Sequence, residues 1–118
     1  MAHTRFTQLT ADAKSRVREV SPAEANKQQA QGAVLIDVRE HEEFEQGHAP
    51  GAIHLSKGVL ELRIEEAIDD PATPIICYCG GGARSALAAD NLQKMGYTNV
   101  ASMAGGLKAW RNEGLPIS

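Results

Sequence analysis

The chain has 118 residues, a net charge of −3 at pH 7 and a sequence pI of about 5.8. This is the length of a single domain, and the negative charge together with only 4% aromatic residues disfavours a nucleic-acid partner. No stretch approaches the ~18 consecutive apolar residues of a membrane span, and no apolar signal segment opens the chain. We therefore expect a cytoplasmic protein that has no membrane partner.

The first residues predict an extension ahead of the main domain. We expect residues 1–16 to form a helical N-terminal extension in which Leu9 and Ala13 face inward, and residues 17–118 to form the domain itself, starting with a brief strand at 17–20. Ser21 and Glu24 then have the spacing of a capping box at a helix N-terminus, with a proline between them at the first helical position. This helix should extend to Gly32.

The rest of the chain alternates strand and helix patterns. The apolar run 33–36 predicts a buried strand in the centre of the sheet. It is followed by a predicted helix at 40–46, a strand at 52–55, a helix at 60–68, a strand at 74–77, a helix that ends before Gly96, a strand at 100–103 and a helix at 107–112 with Trp110 inward. Such alternation indicates an α/β domain with an open, mostly parallel sheet and helices on both faces. Ligand sites in these domains lie beyond the carboxyl ends of the strands.

The segment 78–85, with the sequence YCGGGARS, is the strongest candidate site. Cys79 falls where a predicted strand meets a predicted helix N-terminus. The three glycines that follow it permit positive φ, so that backbone N–H groups can point at the sulfur as an anion-binding nest. These N–H groups, the helix dipole and the charge of Arg84 all favour the thiolate, which lowers the pKa. We predict that Cys79 is a nucleophile that faces a small anionic substrate.

The second cysteine has a different interpretation. Cys77 and Cys79 lie two positions apart on a predicted strand, where Cα atoms are about 6.6 Å apart and side chains are nearly parallel. A disulfide between them would require the strand to unravel. We therefore interpret Cys77 as an inert apolar residue of the core.

Four segments resemble, in order, the signatures of the single-domain rhodanese family. They are LIDVREHEEF at 35–44, GHAPGAIH at 47–54, CGGGARS at 79–85 and GGLKAW at 105–110. The resemblance covers nearly all of the chain from about residue 17 onward. It implies a rhodanese-like fold, sulfurtransferase activity and a persulfide carried on the loop cysteine.

The resemblance also implies roles for individual residues. Cys79 is the implied catalytic residue, and Asp37 with Arg39 is an implied structural support. The implied substrate-binding residues are Gly80, Gly81, Gly82, Ala83, Arg84 and Ser85, the last of which is expected mainly to support the start of the helix. Gly80 departs from the basic residue that is common at this position in thiosulfate-using members.

The implied chemistry has two steps. The Cys79 thiolate attacks the outer sulfur of a small anionic donor such as thiosulfate and becomes a persulfide. An acceptor, cyanide or a thiol that includes thiols on proteins, then removes this sulfur. No metal or organic cofactor is required for this cycle.

Two other functions use a similar loop. Phosphatases and arsenate reductases have five residues between cysteine and arginine, whereas four separate Cys79 from Arg84. Rhodanese-like domains that lack the cysteine serve as non-catalytic binding modules, whereas this chain retains it. We therefore rank sulfur transfer first, with both alternatives open.

The remaining patterns are weaker. Residues 80–85 approximate a dinucleotide-binding fingerprint but lack the acidic residue about 20 positions further on. The two cysteines and the histidines at 41, 48 and 54 lack the paired ligand spacing of a zinc site, and we expect these histidines in turns and on the surface. The glutamates at 40, 42, 43 and 45 are expected to form the solvated face of a short helix.

Overall fold

The computed structural model describes residues 4–118, in which six helices alternate with five strands. In chain order they are α1 (Thr4–Lys14), β1 (Arg18–Val20), α2 (Pro22–Ala30), β2 (Val34–Asp37), α3 (His41–Glu45), β3 (Ile53–His54), α4 (Leu60–Ala67), β4 (Ile75–Tyr78), α5 (Ala83–Lys94), β5 (Val100–Met103) and α6 (Gly106–Asn112). No helix in this part of the chain is long and apolar enough to cross a membrane.

The five strands form one sheet in the order β1-β5-β4-β2-β3, and each neighbouring pair is parallel. The sheet is thus of the predicted open α/β type. β4 is its middle strand, with Cys77 paired to Ile36 of β2 on one side and to Ser102 of β5 on the other. The strand predicted at 33–36 is β2, which lies between β4 and β3 and is therefore a central strand as predicted, one place from the middle of the sheet. Both strands read as continuous apolar runs, so their order could not be inferred from pattern alone.

Each face of the sheet is covered by its own apolar core. Alternate residues of β4 divide between the two cores: Ile75 and Cys77 pack towards α4 and α5, whereas Ile76 and Tyr78 pack towards α2 and α6. Trp110 of α6 is fully buried in the second core, as predicted. This alternation follows from the two-residue period of a strand that is covered on both sides.

The N-terminal helix packs across α5 through Ala13, as expected, but not through Leu9. Ala13 is buried, whereas Leu9 is 55% exposed and Thr10 is buried in its place. The Thr10 hydroxyl donates to the Thr7 carbonyl oxygen at 3.0 Å, which satisfies its hydrogen-bonding capacity inside the interface. Residues 1–3 of the predicted extension lie outside the described part of the chain.

The start of α2 forms half of the predicted capping box. The Ser21 hydroxyl accepts a hydrogen bond from the Glu24 N–H at 3.1 Å, and Pro22 occupies the first turn. The Glu24 carboxylate accepts from the Gln28 amide at 2.9 Å, an i, i+4 contact along the helix. The serine cap is therefore present, while the reciprocal bond from Glu24 is replaced by this contact.

Candidate active site

Cys79 follows the middle strand at the carboxyl edge of the sheet, where α/β domains place their ligands. Its Sγ accepts hydrogen bonds from the backbone N–H groups of Gly82 at 3.1 Å and Ser85 at 3.4 Å. The Ser85 hydroxyl lies 3.5 Å from the same sulfur. The loop and the first turn of α5 therefore surround the sulfur with donors, and the residue is only 1% exposed.

The loop glycines contribute unequally to this arrangement. Only Gly82 has positive φ, at 103°, whereas the sequence led us to expect this freedom to be used throughout 80–82. A Cβ at Gly82 would also lie 3.2 Å from the Gly105 nitrogen, a tight contact with backbone that adds to the conformational preference for glycine. One left-handed residue at the N-cap of α5 is enough to turn the N–H groups inward.

The environment of Cys79 favours its thiolate form. Burial raises the pKa of the thiol, but hydrogen bonds from the Ser85 hydroxyl and from the N–H groups of Ser85, Gly82 and Gly81 outweigh that effect. The pKa therefore lies below its ordinary value. Cys77 has no such donors, and burial together with the nearby Cys79 charge raises its pKa to about 12. The pKa values of the two cysteines are thus shifted in opposite directions, and in residues 4–118 both cysteines are free of disulfide bonds.

A second hydroxyl stands behind Ser85. Ser102, the β5 residue that pairs with Cys77, is fully buried, and its Oγ lies 2.8 Å from the Ser85 Oγ. Ser85 has one proton, so it can donate to a Cys79 thiolate while it accepts from Ser102. Sequence reasoning missed Ser102. The predicted strand at 100–103 could have indicated it, because pairing of this strand with β4 places Ser102 beside Cys77.

Arg84 lies over the loop and is held by a carboxylate. Its Nη1 and Nη2 donate to the two Glu43 oxygens at 2.9 and 3.1 Å, with the Arg84 side chain 36% exposed and the Glu43 side chain 39% exposed. A Cβ at Gly80 would be 3.5 Å from the Arg84 Nη2. The expectation that the glutamates at 40–45 only face solvent was therefore wrong for Glu43. The hydrogen bonds from Arg84 lower the pKa of Glu43 to about 2, so it is a carboxylate at neutral pH.

Contacts with neighbouring rings fix α3, the short helix that carries Glu43. The Phe44 ring stacks between the His48 ring, at 3.8 Å between centroids, and the His54 ring, at 4.8 Å. One nitrogen of each imidazole also lies at hydrogen-bond distance from a backbone carbonyl, His48 from Phe44 and His54 from Arg39. The two histidines are half-buried members of this stack and not the surface residues we expected. A helix of five residues has little stability alone, so these contacts determine where Glu43 lies.

Asp37 and Arg39 form a buried ion pair beside the loop. The Arg39 guanidinium donates to both Asp37 oxygens, at 2.7 Å from Nη2 and 3.0 Å from Nε, and its Nη2 also donates to the Gly47 carbonyl at 2.7 Å. The Tyr78 hydroxyl accepts from the Ala49 N–H at 3.1 Å on the same side. These contacts connect the end of β2 to the turn at 47–51, and neither ion of the pair reaches Cys79 by a hydrogen bond in residues 4–118.

The N-terminus of α6 supports the loop from the other side. The Leu107 N–H donates to the Cys79 carbonyl at 2.8 Å, and the Lys108 N–H donates to the Gly80 carbonyl at 3.2 Å. Gly106 has φ of 58°, and a Cβ there would collide with the Cys79 carbonyl oxygen and with Gly80. The loop carbonyls therefore point at α6, which leaves the loop N–H groups to face the sulfur.

The described residues contain no group of three or more His, Cys, Asp or Glu side chains placed to hold a metal ion. The chemistry this arrangement supports is that of a buried thiolate stabilised by N–H and hydroxyl donors, with one arginine at the rim.

Comparison with known proteins relates this site to established relatives. Residues 21–113 match the model of the family described as Rhodanese-like domain. Thiosulfate sulfurtransferase GlpE of Haemophilus influenzae is 39% identical over 100 residues, which cover 85% of this chain and 93% of that protein.

Two solved structures share the fold. A Rhodopseudomonas palustris protein, described as of unknown function and a possible tyrosine phosphatase, has a TM-score of 0.88 and 33% identity over 96% of this chain and 93% of its own. The polysulfide-sulfur transferase homodimer of Wolinella succinogenes has a TM-score of 0.83 and 32% identity over 98% of this chain and 88% of its own. Two of these three relatives are named for sulfur transfer, which supports a sulfurtransferase activity. By sequence and by fold, the chain belongs to the rhodanese-like domain family.

Proposed function

We propose that this protein transfers a sulfane sulfur from a small anionic donor, such as thiosulfate, to cyanide or a thiol through a persulfide on Cys79. The observation that carries the proposal is the set of donors around Sγ: the N–H groups of Gly82 and Ser85 at 3.1 and 3.4 Å and the Ser85 hydroxyl at 3.5 Å. They lower the pKa of Cys79 and so supply the thiolate that must attack sulfur.

The first step forms the persulfide. The Cys79 thiolate attacks the outer sulfur of the donor, a bond forms between Sγ and that sulfur, and the donor's bond to the leaving group breaks. With thiosulfate, sulfite leaves with the bonding electron pair and gains one negative charge, while the transferred sulfur keeps its own negative charge as the outer sulfur of the Cys79 persulfide. The loop N–H groups stabilise the negative charge on sulfur throughout this step.

The second step returns the enzyme to its starting state. A cyanide ion or an acceptor thiolate attacks the outer persulfide sulfur, the S–S bond breaks, and Cys79 leaves as the thiolate. A low pKa makes Cys79 a good leaving group as well as a ready nucleophile. Because donor and acceptor act in turn on one residue, we expect ping-pong kinetics.

The size of the loop supports sulfur transfer over phosphoryl transfer. Four residues separate Cys79 from Arg84, and N–H groups at 3.1 and 3.4 Å already contact Sγ. A loop so closely fitted to one sulfur atom favours a single further sulfur over a phosphate group with three oxygens. A non-catalytic binding role is the second alternative, and it gives no reason for a buried cysteine whose pKa is lowered.

Intact-mass measurement tests the proposal directly. The protein is incubated with thiosulfate, and we expect its mass to rise by one sulfur atom and to fall again when cyanide or a thiol is added. Peptide mapping should place the added sulfur on Cys79. If no sulfane donor modifies Cys79 in the folded protein, the proposed function is wrong.

A further inference from the structure

The arginine expected to bind the substrate is already engaged within the protein. Glu43 accepts hydrogen bonds from both terminal nitrogens of Arg84, at 2.9 and 3.1 Å. This is the bidentate arrangement in which an arginine binds the oxygens of a carboxylate, sulfate or phosphate group. The Glu43 carboxylate therefore occupies the Nη1–Nη2 edge of the guanidinium, one of the edges at which an oxyanion donor could bind.

The formal charges at this edge of the sheet also leave little attraction for a dianion. Arg84 is neutralised by Glu43, and Arg39 is neutralised by the buried Asp37 at 2.7 Å. The reactive form of Cys79 adds one negative charge. A donor with two negative charges thus meets partial positive charges from N–H groups but an unfavourable sum of formal charges.

We propose that Glu43 is a specificity residue: by occupying and neutralising Arg84, it disfavours small dianionic donors and suits the site to an organic persulfide. This inference rests on the proposed function and names the class of donor for the same site. The reacting end of an organic persulfide carries at most one negative charge. Thiosulfate carries two.

The reaction with an organic persulfide balances without another reactant. The Cys79 thiolate attacks the outer sulfur of R–S–S⁻, the donor S–S bond breaks, and R–S⁻ leaves with the bonding electrons. The products are the Cys79 persulfide anion and an organic thiolate, so two negative charges are present before and after the step. No oxyanion is released, so a free Arg84 fork is not required for leaving-group stabilisation.

The variant Glu43→Gln removes the carboxylate while it preserves the helix start. Glu43 also accepts a hydrogen bond from the Glu40 N–H at 3.1 Å, and a glutamine at this third helical position can make the same bond. Its amide oxygen can still accept one hydrogen bond from Arg84, but its amide nitrogen accepts none, so one guanidinium nitrogen is freed and the arginine charge is no longer balanced. The matched control is Glu42→Gln, which removes the same charge from an exposed neighbouring position on α3.

The experiment measures the second-order rate constant of Cys79 persulfidation by mass spectrometry, with two donors of similar size. One donor is thiosulfate, and the other is the persulfide of 2-mercaptoethanol generated in situ. We expect Glu43→Gln to raise the rate constant with thiosulfate about tenfold at low salt and to change the rate constant with the organic persulfide by less than about twofold. At high salt, the increase with thiosulfate should disappear, because salt screens the charges. Glu42→Gln should leave the ratio of the two rate constants near that of the wild type.

The outcomes separate this inference from the proposed function. If neither donor persulfidates Cys79 in the wild type, the proposed function fails. If persulfides form but Glu43→Gln leaves the ratio between donors unchanged, Glu43 does not set specificity. An equal rise with both donors would show that Glu43 only restricts access, and a fall with thiosulfate would show that it positions Arg84 for that donor. Either result would overturn the inference.

Discussion

At the scale of single residues, the position of each cysteine relative to the end of β4 decides its environment. Cys77 points into the core packed under α4 and α5, where burial raises its pKa to about 12. Cys79, two residues further on, is beyond the last residue of β4 and within reach of the N–H groups at the start of α5. The pKa values of the two thiols are therefore shifted in opposite directions although both residues are buried, and we expect them to differ in reactivity.

Substitution of each cysteine should separate these roles. Cys79→Ser should abolish persulfide formation, because it removes the nucleophile. Cys77→Ser should retain most of the turnover, because Cys77 has no contact with donor groups of the loop. The measurement is the sulfur-dependent mass increase together with thiosulfate:cyanide turnover. Equal loss in both variants, with Cys77→Ser still folded by circular dichroism, would contradict the assignment of Cys79.

Removal of the hydroxyl behind Ser85 should raise the pKa of Cys79. In Ser102→Ala the Ser85 hydroxyl loses the partner 2.8 Å away and is less well oriented to donate to the thiolate. Ser85→Ala removes the direct donor and should raise the pKa further. The rate of alkylation as a function of pH gives the midpoint in each case. Ser15→Ala, at the exposed end of α1, is the control, and a Ser102→Ala midpoint equal to that of the wild type would exclude a role for Ser102.

At the scale of elements, the loop is shaped by two helices that it contacts on opposite sides. α5 supplies N–H groups to the sulfur, and α6 supplies N–H groups to the carbonyls of Cys79 and Gly80. Close contact with α6 depends on Gly106, where there is no room for a side chain. The geometry around Sγ is thus determined by the packing of α6 as much as by the loop sequence.

A methyl group at Gly106 should therefore disturb the active site. In Gly106→Ala the added Cβ collides with the Cys79 carbonyl oxygen and displaces the loop, so persulfidation should slow by about tenfold or more. Gly114→Ala is a matched control, because Gly114 also has positive φ, at 73°, but nothing lies within 4 Å of its Cβ position. Both variants should lose about 1–2 kcal/mol from left-handed strain. Similar activity in the two variants would show that α6 does not control the loop.

The loop spacing predicts which groups the site rejects. With four residues between Cys79 and Arg84, the wild type should show no measurable hydrolysis of aryl phosphates. Insertion of one glycine between Gly82 and Ala83 should lower sulfur transfer, because the donors around Sγ move away from it. Steady-state assays with p-nitrophenyl phosphate and with thiosulfate check both expectations. Efficient aryl-phosphate turnover by the wild type would assign the loop to phosphoryl chemistry.

At the scale of the whole molecule, ion pairs connect the end of α1 to α5, which covers one face of the sheet. Arg16, just beyond α1, donates to both oxygens of the buried Asp90 on α5, at 3.1 and 2.8 Å, and to Asp12 at 2.8 Å. Lys94 also lies 3.4 Å from Asp90. Hydrogen bonding to Arg16 lowers the pKa of Asp90 below its ordinary value of 3.8.

The lowered pKa of Asp90 predicts acid sensitivity. A carboxyl group with a lower pKa in the folded protein than in the unfolded chain contributes stability above the unfolded value, and this contribution is lost as the pH falls through the folded value. The free energy of unfolding should therefore decrease below about pH 4. Urea unfolding at pH 6 and pH 3 measures the decrease. Asp90→Asn should be less stable at pH 6 and show a smaller decrease, and an unchanged decrease would mean that Asp90 does not contribute.

Much of this architecture could be predicted from the sequence because its signals are local. The apolar runs, the serine cap of α2 and the glycines at helix ends predicted the elements and placed Cys79 at the carboxyl edge. The residues that contact the loop from other segments were harder to predict from the sequence. Glu43 is 41 positions from Arg84, and within its own segment it looks like one of several exposed glutamates. Ala13 faces inward as predicted, but Leu9 was misplaced because α1 also packs through Thr10, a polar residue that an apolar pattern does not single out.

The burial of Cys79 has a consequence for which sulfur of the proposed persulfide an acceptor attacks. Cys79 is 1% exposed, and a second sulfur atom bonded to its Sγ would extend about 2 Å further along the S–S bond. An incoming nucleophile then reaches the outer sulfur more easily than the inner one. Attack on the outer atom delivers sulfur to the acceptor, whereas attack on the inner atom would release sulfide and leave Cys79 in a mixed disulfide. A loop that covers Sγ therefore favours productive transfer and protects the enzyme from inactivation by its own acceptor.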